Sequence, residues 1–441
     1  MISETMLIWG VVSLIVMVIV LPYILKVKRQ QKQDREKKKE AEFLGVDKPV
    51  AQYPQIDYFR CIGCGACIAA CPEGGVLGLV NGKATIINGL KCVGHGLCAE
   101  ACPVNGIQVG LGDIKGRADI PVLSVQNETS VPGIYVAGEL AGLALIKNAI
   151  SQGEKVIREI SKTMSGEKSE GIFDVIIIGA GPAGLSAALA AIEEKLNYLV
   201  LDQQGAGGTI LQYPRKKIVM TRPVEIPQYG WLRQSEYSKE ELLDIWGEIQ
   251  SKFQIKLKTG EKLLNIEKTN GYHTITTNSG TYKSHKVILA LGRRGTPRKL
   301  NIPGEDQSKV MYKLMDAESY QDEDVLIVGG GDSAVEAAMG LARQKNNHVT
   351  LSYRKSKFFR IKTRNEERIN EHIHKGKITV LFDSEVIEIG DTFVKIKKGD
   401  EITSIPNSYV FVFAGGEPPF PLMQKIGIKF GGELTADHPK D

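Results

Sequence analysis

All seven cysteines of this 441-residue chain fall between Cys61 and Cys102, and the rest of the sequence has none. That crowding constrains the chain more than any hydrophobic pattern does. A disulfide framework needs paired thiols and is typical of small secreted domains; an odd number packed into one short stretch of a long chain points to metal ligation. The composition of the whole chain is ordinary for a folded protein, with 42% hydrophobic and 24% charged residues, so disorder as an overall state is excluded. The length suggests two to four domains.

The spacing of the thiols narrows the chemistry. Cys61, Cys64, Cys67 and Cys71, followed by Pro72, read C-x2-C-x2-C-x3-C-P, which resembles the bacterial two-cluster ferredoxin signature. A second copy runs through Cys92, His95, Cys98, Cys102 and Pro103, with histidine in the second ligand slot. In such ferredoxins the fourth thiolate of each run crosses to the other cluster. The resemblance therefore assigns Cys61, Cys64, Cys67 and Cys102 to a 4Fe-4S cluster I, and Cys92, Cys98 and Cys71 to cluster II. Two readings of His95 stand. As an iron ligand it makes cluster II a 4Fe-4S centre of less negative charge and higher potential, as in Rieske centres; otherwise it sits beside a 3Fe-4S cluster or an open iron. Its place in a ligand slot favours ligation. Structural zinc fits poorly, because zinc sites use separated pairs. Strands are expected at Val76–Val80 and Lys83–Ile87 between the motifs.

Met6 to Leu25 is an uncharged apolar run that as a helix reaches about 30 Å, the hydrocarbon thickness of a bilayer. Glu4 and no basic residue precedes it. From Lys26 to Glu40 eight basic and three acidic side chains leave an excess of five, the whole formal net charge of the chain. A basic block after the run, not before it, favours a single-pass anchor over a cleaved signal and puts residues 26 onward on the cytoplasmic side of the plasma membrane. The basic stretch lies on anionic lipid or forms a solvated, partly helical spacer. The remaining residues are electrically neutral, which argues against nucleic acid as a partner.

Two βαβ units come next. Phe173–Ile178 leads into Gly179-Ala180-Gly181-Pro182-Ala183-Gly184, a helix through Ala191, and a strand Tyr198–Leu201 ending at Asp202. Glycines there let the backbone approach a pyrophosphate at a helix N-terminus, and Asp202 is placed to accept a hydrogen bond from a ribose hydroxyl. The second unit is Asp324–Val328, Gly329-Gly330-Gly331-Asp332-Ser333-Ala334, a helix Val335–Arg343, and a strand His348–Tyr353 followed by Arg354, Lys355, Lys357 and Arg360. Cations where the first unit has an acid suit a 2′-phosphate, so the second site is expected to prefer NADP(H) over NAD(H). The plainer reading is a solvated basic loop.

Residues 113–430 resemble the thioredoxin-reductase-like flavoproteins. The resemblance rests on the two glycine turns and three further segments. Val287–Gly292, with Pro297 and Ile302-Pro303-Gly304-Glu305, is similar to the link between the family's FAD and NADP domains. Tyr409–Ala414, with Gly415–Pro418, is similar to the last strand of the NADP domain. Thr129–Glu139 is similar to the strand and turn that close the FAD domain. The family implies FAD on the first unit, with Gly138 and Glu139 at the ribityl chain and Gly292 at the domain link. Gly208 and Thr209 hold the position near the flavin ring, where a simple turn is an equal reading.

The chain departs from the family twice. The FAD-closing segment comes first instead of last, which a circular permutation explains; an unrelated linker is the alternative. The C-x-x-C of a thioredoxin reductase has no counterpart in Val310–Glu318, so this polypeptide cannot form a redox disulfide there.

The expected fold class is α/β, with two Rossmann-like domains, a small α+β ferredoxin domain and one transmembrane helix. The expected boundaries are an anchor over 1–27, spacer over 28–55, ferredoxin domain over 56–112, closing segment over 113–165, FAD domain over 166–304, NAD(P) domain over 305–430 and tail over 431–441. The expected activity is electron transfer between NAD(P)H, FAD and two iron–sulfur clusters, to or from a partner protein or quinone, with no catalytic acid or base. A direct reductase of an external disulfide, a redox sensor and an electron-entry subunit are the alternatives, and a homodimer is compatible with the sequence. His372 and His374 are read as surface residues.

Overall fold

The computed structural model describes residues 4–44, 52–111, 119–142, 145–164, 170–220, 222–269, 271–293 and 295–431. Residues 45–51 of the expected spacer, the junction at 112–118 and all but the first residue of the expected tail lie outside these. The chain divides into two compact units, Met1–Gly112 and Asp113–Asp441.

The first unit begins with a continuous helix, Glu4–Ile15, a π-helical turn Val16–Val20, and Leu21–Leu44. It is long and apolar enough to cross a membrane. Its basic half is not a solvated spacer along its whole length. Asp34 is buried and accepts the amide of Leu79 at 2.9 Å, Arg35 donates to Asn81, and Ala41 is buried. Asp34 fills the space beside Gly78, where a Cβ would overlap its carboxylate. The ferredoxin part pairs Gln52–Ile56 antiparallel with Ile107–Leu111 and forms a hairpin of Leu77–Val80 with Lys83–Ile86. Each cysteine run opens a single-turn helix, Ala66–Ala69 or Leu97–Glu100, and the two turns touch.

The second unit holds two large sheets. The first has the order Leu257–Thr259, Tyr198–Asp202, Phe173–Ile178, Thr281–Leu289, Tyr272–Thr277, Leu263–Thr269, and Ile134–Val136 also pairs with Thr281–Leu289. Ile134–Val136 runs parallel to Val287–Leu289, where the antiparallel pairing with Tyr272–Thr277 has ended. The segment that precedes the first glycine turn in sequence thus completes its sheet. The next helix, Ile146–Ser161, buries Ile150, Gly153, Val156, Ile157 and Ile160 on one face, the spacing of a 3.6-residue period. It packs on Pro182–Glu193, whose alanines leave no ridge: a Cβ on Gly153 would overlap the carbonyl of Ala183.

The second sheet is parallel throughout, in the order Val310–Met311, Tyr409–Val412, Asp324–Val328, His348–Tyr353, Ile378–Phe382. Its central strands are near-continuous apolar runs, as expected of strands covered on both faces. A separate antiparallel sheet, Ser384–Ile389, Phe393–Lys398, Glu401–Pro406, was not expected from the sequence. The two sheets' domains are linked by Thr296–Pro297 pairing with Gly416–Glu417, which joins the segment that resembled the family's inter-domain link to the one that resembled the end of its NADP domain.

Candidate cluster and dinucleotide sites

The two cysteine runs have the same backbone. Gly63 and Gly65 flank Cys64 at φ 70° and 76°, and Gly94 and Gly96 flank His95 at φ 77° and 83°. Left-handed residues at these offsets wrap the loop around a central object, and only glycine adopts them without a Cβ penalty. Cys71, Cys92, His95 and Cys98 line one cavity. The fourth thiol of the first run thus lies in the same cavity as the residues of the second run. Cys61 and Cys64 crowd Cys67, and Cys102 accepts the amide of Gly106, which lies against Arg60 and Cys61. The thiols and His95 therefore fit two clusters. Among the described residues no group of His, Cys, Asp or Glu converges as a single ion would need; a cubane instead spreads its ligands around itself. Burial raises Cys67 and Cys98, each to about 11, and neighbouring thiols add to the shift, so loading a cluster must displace protons from them.

His95 does not stand alone. Its Nε2 is 2.9 Å from Oε1 of Glu73, and both side chains are buried. Glu73 was not singled out in the sequence; it lies two residues beyond Cys71 with no periodic signal.

In the first Rossmann unit Gly184 packs so close to the carbonyl of Gly179 that a Cβ there would overlap it. Gly208 approaches Gly181, with a Cβ on Gly208 falling 2.9 Å from the Gly181 Cα. Gly138 lies beside Ala183 at the start of the same helix, and Thr209 is the neighbour that a Cβ on Gly292 would meet. Gly138, Gly181, Gly184, Gly208, Thr209 and Gly292 are thereby gathered around one helix N-terminus, a cradle of backbone that fits a flavin dinucleotide. Glu139 begins the turn after Gly138. Asp202 is buried and already committed: Oδ2 accepts the amide of Ala180, and Oδ1 accepts those of Gln204 and Gly205. It shapes the glycine turn, with one lone pair of Oδ2 beyond these bonds.

In the second unit Asp332, at the helix start, accepts from the amide of Lys362 and from Asn365 Nδ2. These bonds tie the loop after His348–Tyr353 to the glycine turn. Arg360 lies against that turn, its Nη2 3.3 Å from where a Cβ on Gly331 would stand. The ring of Tyr353 covers Gly330. Gly329 and Gly331 belong to the turn and Ala334 to the helix it opens, and Arg354, Lys355 and Arg360 are exposed. His372 and His374 end the helix Thr363–His374, partly buried and exposed respectively.

Two Rossmann turns on sheets joined by a two-strand link, with no thiol in either, define a flavin-dependent pyridine-nucleotide oxidoreductase. Comparison with known proteins agrees. Residues 176–437 match the model of the pyridine nucleotide-disulphide oxidoreductase family, and residues 53–103 match the 4Fe-4S dicluster domain. The chain belongs to the pyridine nucleotide-disulphide oxidoreductase family. It is similar to a ferredoxin–NADP reductase of Ignicoccus hospitalis, 30% identical over 275 residues, which are 60% of this chain and 84% of that protein. It is similar to a thioredoxin reductase of Mycolicibacterium smegmatis, 31% identical over 261 residues, 57% of this chain and 78% of that protein. Among solved structures it resembles the bacillithiol disulfide reductase of Staphylococcus aureus, with 28% identity, a TM-score of 0.54, and 58% and 80% of the two chains covered.

Proposed function

We propose that this chain is a membrane-anchored NADPH oxidoreductase that exchanges single electrons with a partner through its ferredoxin unit. The observation that carries the reading is the distribution of thiols: both dinucleotide turns are complete, yet every cysteine belongs to a cluster loop. When bound, FAD converts a two-electron hydride into single electrons that iron–sulfur clusters can carry. Gly179, Gly181, Gly184, Gly208 and Gly138 admit the flavin dinucleotide, with Asp202, Thr209, Glu139 and Gly292 around it. Gly329, Gly331 and Ala334 admit the nicotinamide dinucleotide, and Arg354, Lys355 and Arg360 select a 2′-phosphate. Cys61, Cys64, Cys67 and Cys102 hold cluster I; Cys71, Cys92, Cys98 and His95 hold cluster II. The apolar helix anchors the chain, with its basic half on the cytoplasmic face. The partner is a redox protein or a quinone.

Replacing Cys67 and Cys98 with serine tests the electron route. NADPH-driven reduction of cytochrome c, a one-electron acceptor, should fall more than tenfold while flavin bleaching by NADPH persists. Undiminished turnover with cytochrome c would mean that the flavin serves its acceptor directly.

A further inference from the structure

The twin loops of the two cysteine runs raise a question of aim. The backbone around residue 95 copies that around Cys64, glycine for glycine, and His95 lines the cavity of Cys71, Cys92 and Cys98. An imidazole is larger than a thiol and has two nitrogens, and reaching iron demands one ring orientation and one tautomer. Cys64 is exposed, whereas His95 is buried in the cavity wall together with Glu73.

Glu73 is only 4% exposed. A carboxylate in this place is costly: it is desolvated, and it stands beside Cys71 and Cys92, whose thiolates carry negative charge when a cluster is held. Packing does not account for it, since an apolar side chain would fill the same volume without that cost. Its bond to His95 is a contact that offsets the cost. In the tautomer whose Nε2–H donates to Oε1, the bond holds the ring in place and the lone pair lies on Nδ1. Metal-bound histidines generally donate their other ring N–H to such a carboxylate or carbonyl group.

We propose that Glu73 is the positioning residue that makes His95 an iron ligand of cluster II, through Nδ1. This rests on the reading that cluster II fills the cavity of Cys71, Cys92, Cys98 and His95, and it commits cluster II to four irons. In its orienting role Glu73 is dispensable to a thiolate ligand and indispensable to an imidazole.

The experiment uses the full, cluster-loaded chain and three variants. Glu73→Gln removes the charge but keeps an acceptor for Nε2–H. Glu73→Leu removes both. The third variant combines Glu73→Leu with His95→Cys. Pulsed EPR of the reduced protein reads 14N coupling to cluster II, and continuous-wave EPR of the oxidised protein reads three-iron content. Signals of cluster I serve as the internal check that each variant is folded. The parent and Glu73→Gln should show 14N coupling from a ring nitrogen. Glu73→Leu should lose it and shed the fourth iron with an affinity loss of about 10–100-fold, the usual effect of removing an outer-shell partner. Glu73→Leu with His95→Cys should regain four irons, because a thiolate needs no such aim.

A Glu73→Leu protein with unchanged 14N coupling and iron content would overturn the role of Glu73 while leaving His95 a ligand. A parent without 14N coupling would overturn ligation by His95 and the proposal with it. Loss of both clusters in every variant, with cluster I failing as well, would show Glu73 to be a folding residue instead.

Discussion

The sharpest test of the second dinucleotide site is Arg360→Ala. Arg360 stands against the glycine turn, with Nη2 3.3 Å from a Cβ position on Gly331. It is held near the turn by the loop that Asp332 ties down through Lys362 and Asn365. A charge-assisted hydrogen bond to phosphate contributes about 1.5–3 kcal/mol, which is about 10–150-fold in affinity at about 1.4 kcal/mol per decade. Arg360 is exposed, so solvent and salt screening pull the expectation to the low end, about tenfold. The 2′-phosphate is the group that distinguishes the two nucleotides. Arg360→Ala should therefore weaken NADPH about tenfold and NADH by less than about threefold. The assay is anaerobic stopped-flow bleaching of the flavin at varied NADPH and NADH, giving an apparent Kd for each. Raising salt from about 0.05 to 0.2 M should narrow the gap, as a phosphate contact requires. Equal losses for both nucleotides would mean that Arg360 grips the shared pyrophosphate. No loss for either would make the basic loop a solvated one.

Three further outcomes are expected. Gly184→Ala drives a Cβ into the carbonyl of Gly179; the helix must lift from its strand, costing about 1–3 kcal/mol or more, and the purified protein should show a lower Tm and a reduced flavin-to-protein ratio. Burial pushes the Glu305 carboxyl up, but the Tyr312 hydroxyl and the amides of Leu300 and Asn301 outweigh it and hold the group below its ordinary value. Its stabilisation is therefore present above the unfolded carboxylate pKa, about 4.3, and is lost as pH falls through the lower folded value. Glu305→Gln should cost about 1–3 kcal/mol at pH 7, and denaturant melts of variant and parent should converge in acid. Asp34→Leu leaves the Leu79 amide without its acceptor, at a cost of about 1–3 kcal/mol; hydrogen exchange should rise over the hairpin Leu77–Ile86, and unchanged exchange there would mean that the helix contact is incidental.

How far the fold and the sites were legible in the sequence depends on how local each signal is. The cysteine runs and glycine turns are contiguous, so their offsets alone announce loops that wrap clusters and helices that receive phosphates. The strands Phe173–Ile178, Asp324–Val328 and His348–Tyr353 stand where apolar, β-branched runs placed them. The pairing of Ile134–Val136 with Val287–Leu289 spans more than 150 positions and carries no periodic signature; only the resemblance of Thr129–Glu139 to a family segment pointed to it. Asp34 looked like one acid among many charges, because its acceptor role depends on Leu79, 45 positions away. Glu73 was missed for the same reason, since its meaning comes from His95 across the cavity, 22 positions on. Asp202 was legible as the acid at the strand end, but its bonds to three backbone amides depend on the fold of the turns around it and were not. The sheet Ser384–Pro406 offered short alternating strands that no motif drew attention to.

Central to the proposed function is an electron path from NADPH through flavin to the clusters. Anaerobic titration of the cluster-loaded full chain with NADPH, followed by absorbance and EPR, tests it most directly. The flavin should bleach first and reduced-cluster EPR signals should then grow in, with NADH needing higher concentrations for the same change. A flavin that bleaches fully while both clusters remain oxidised would contradict the path.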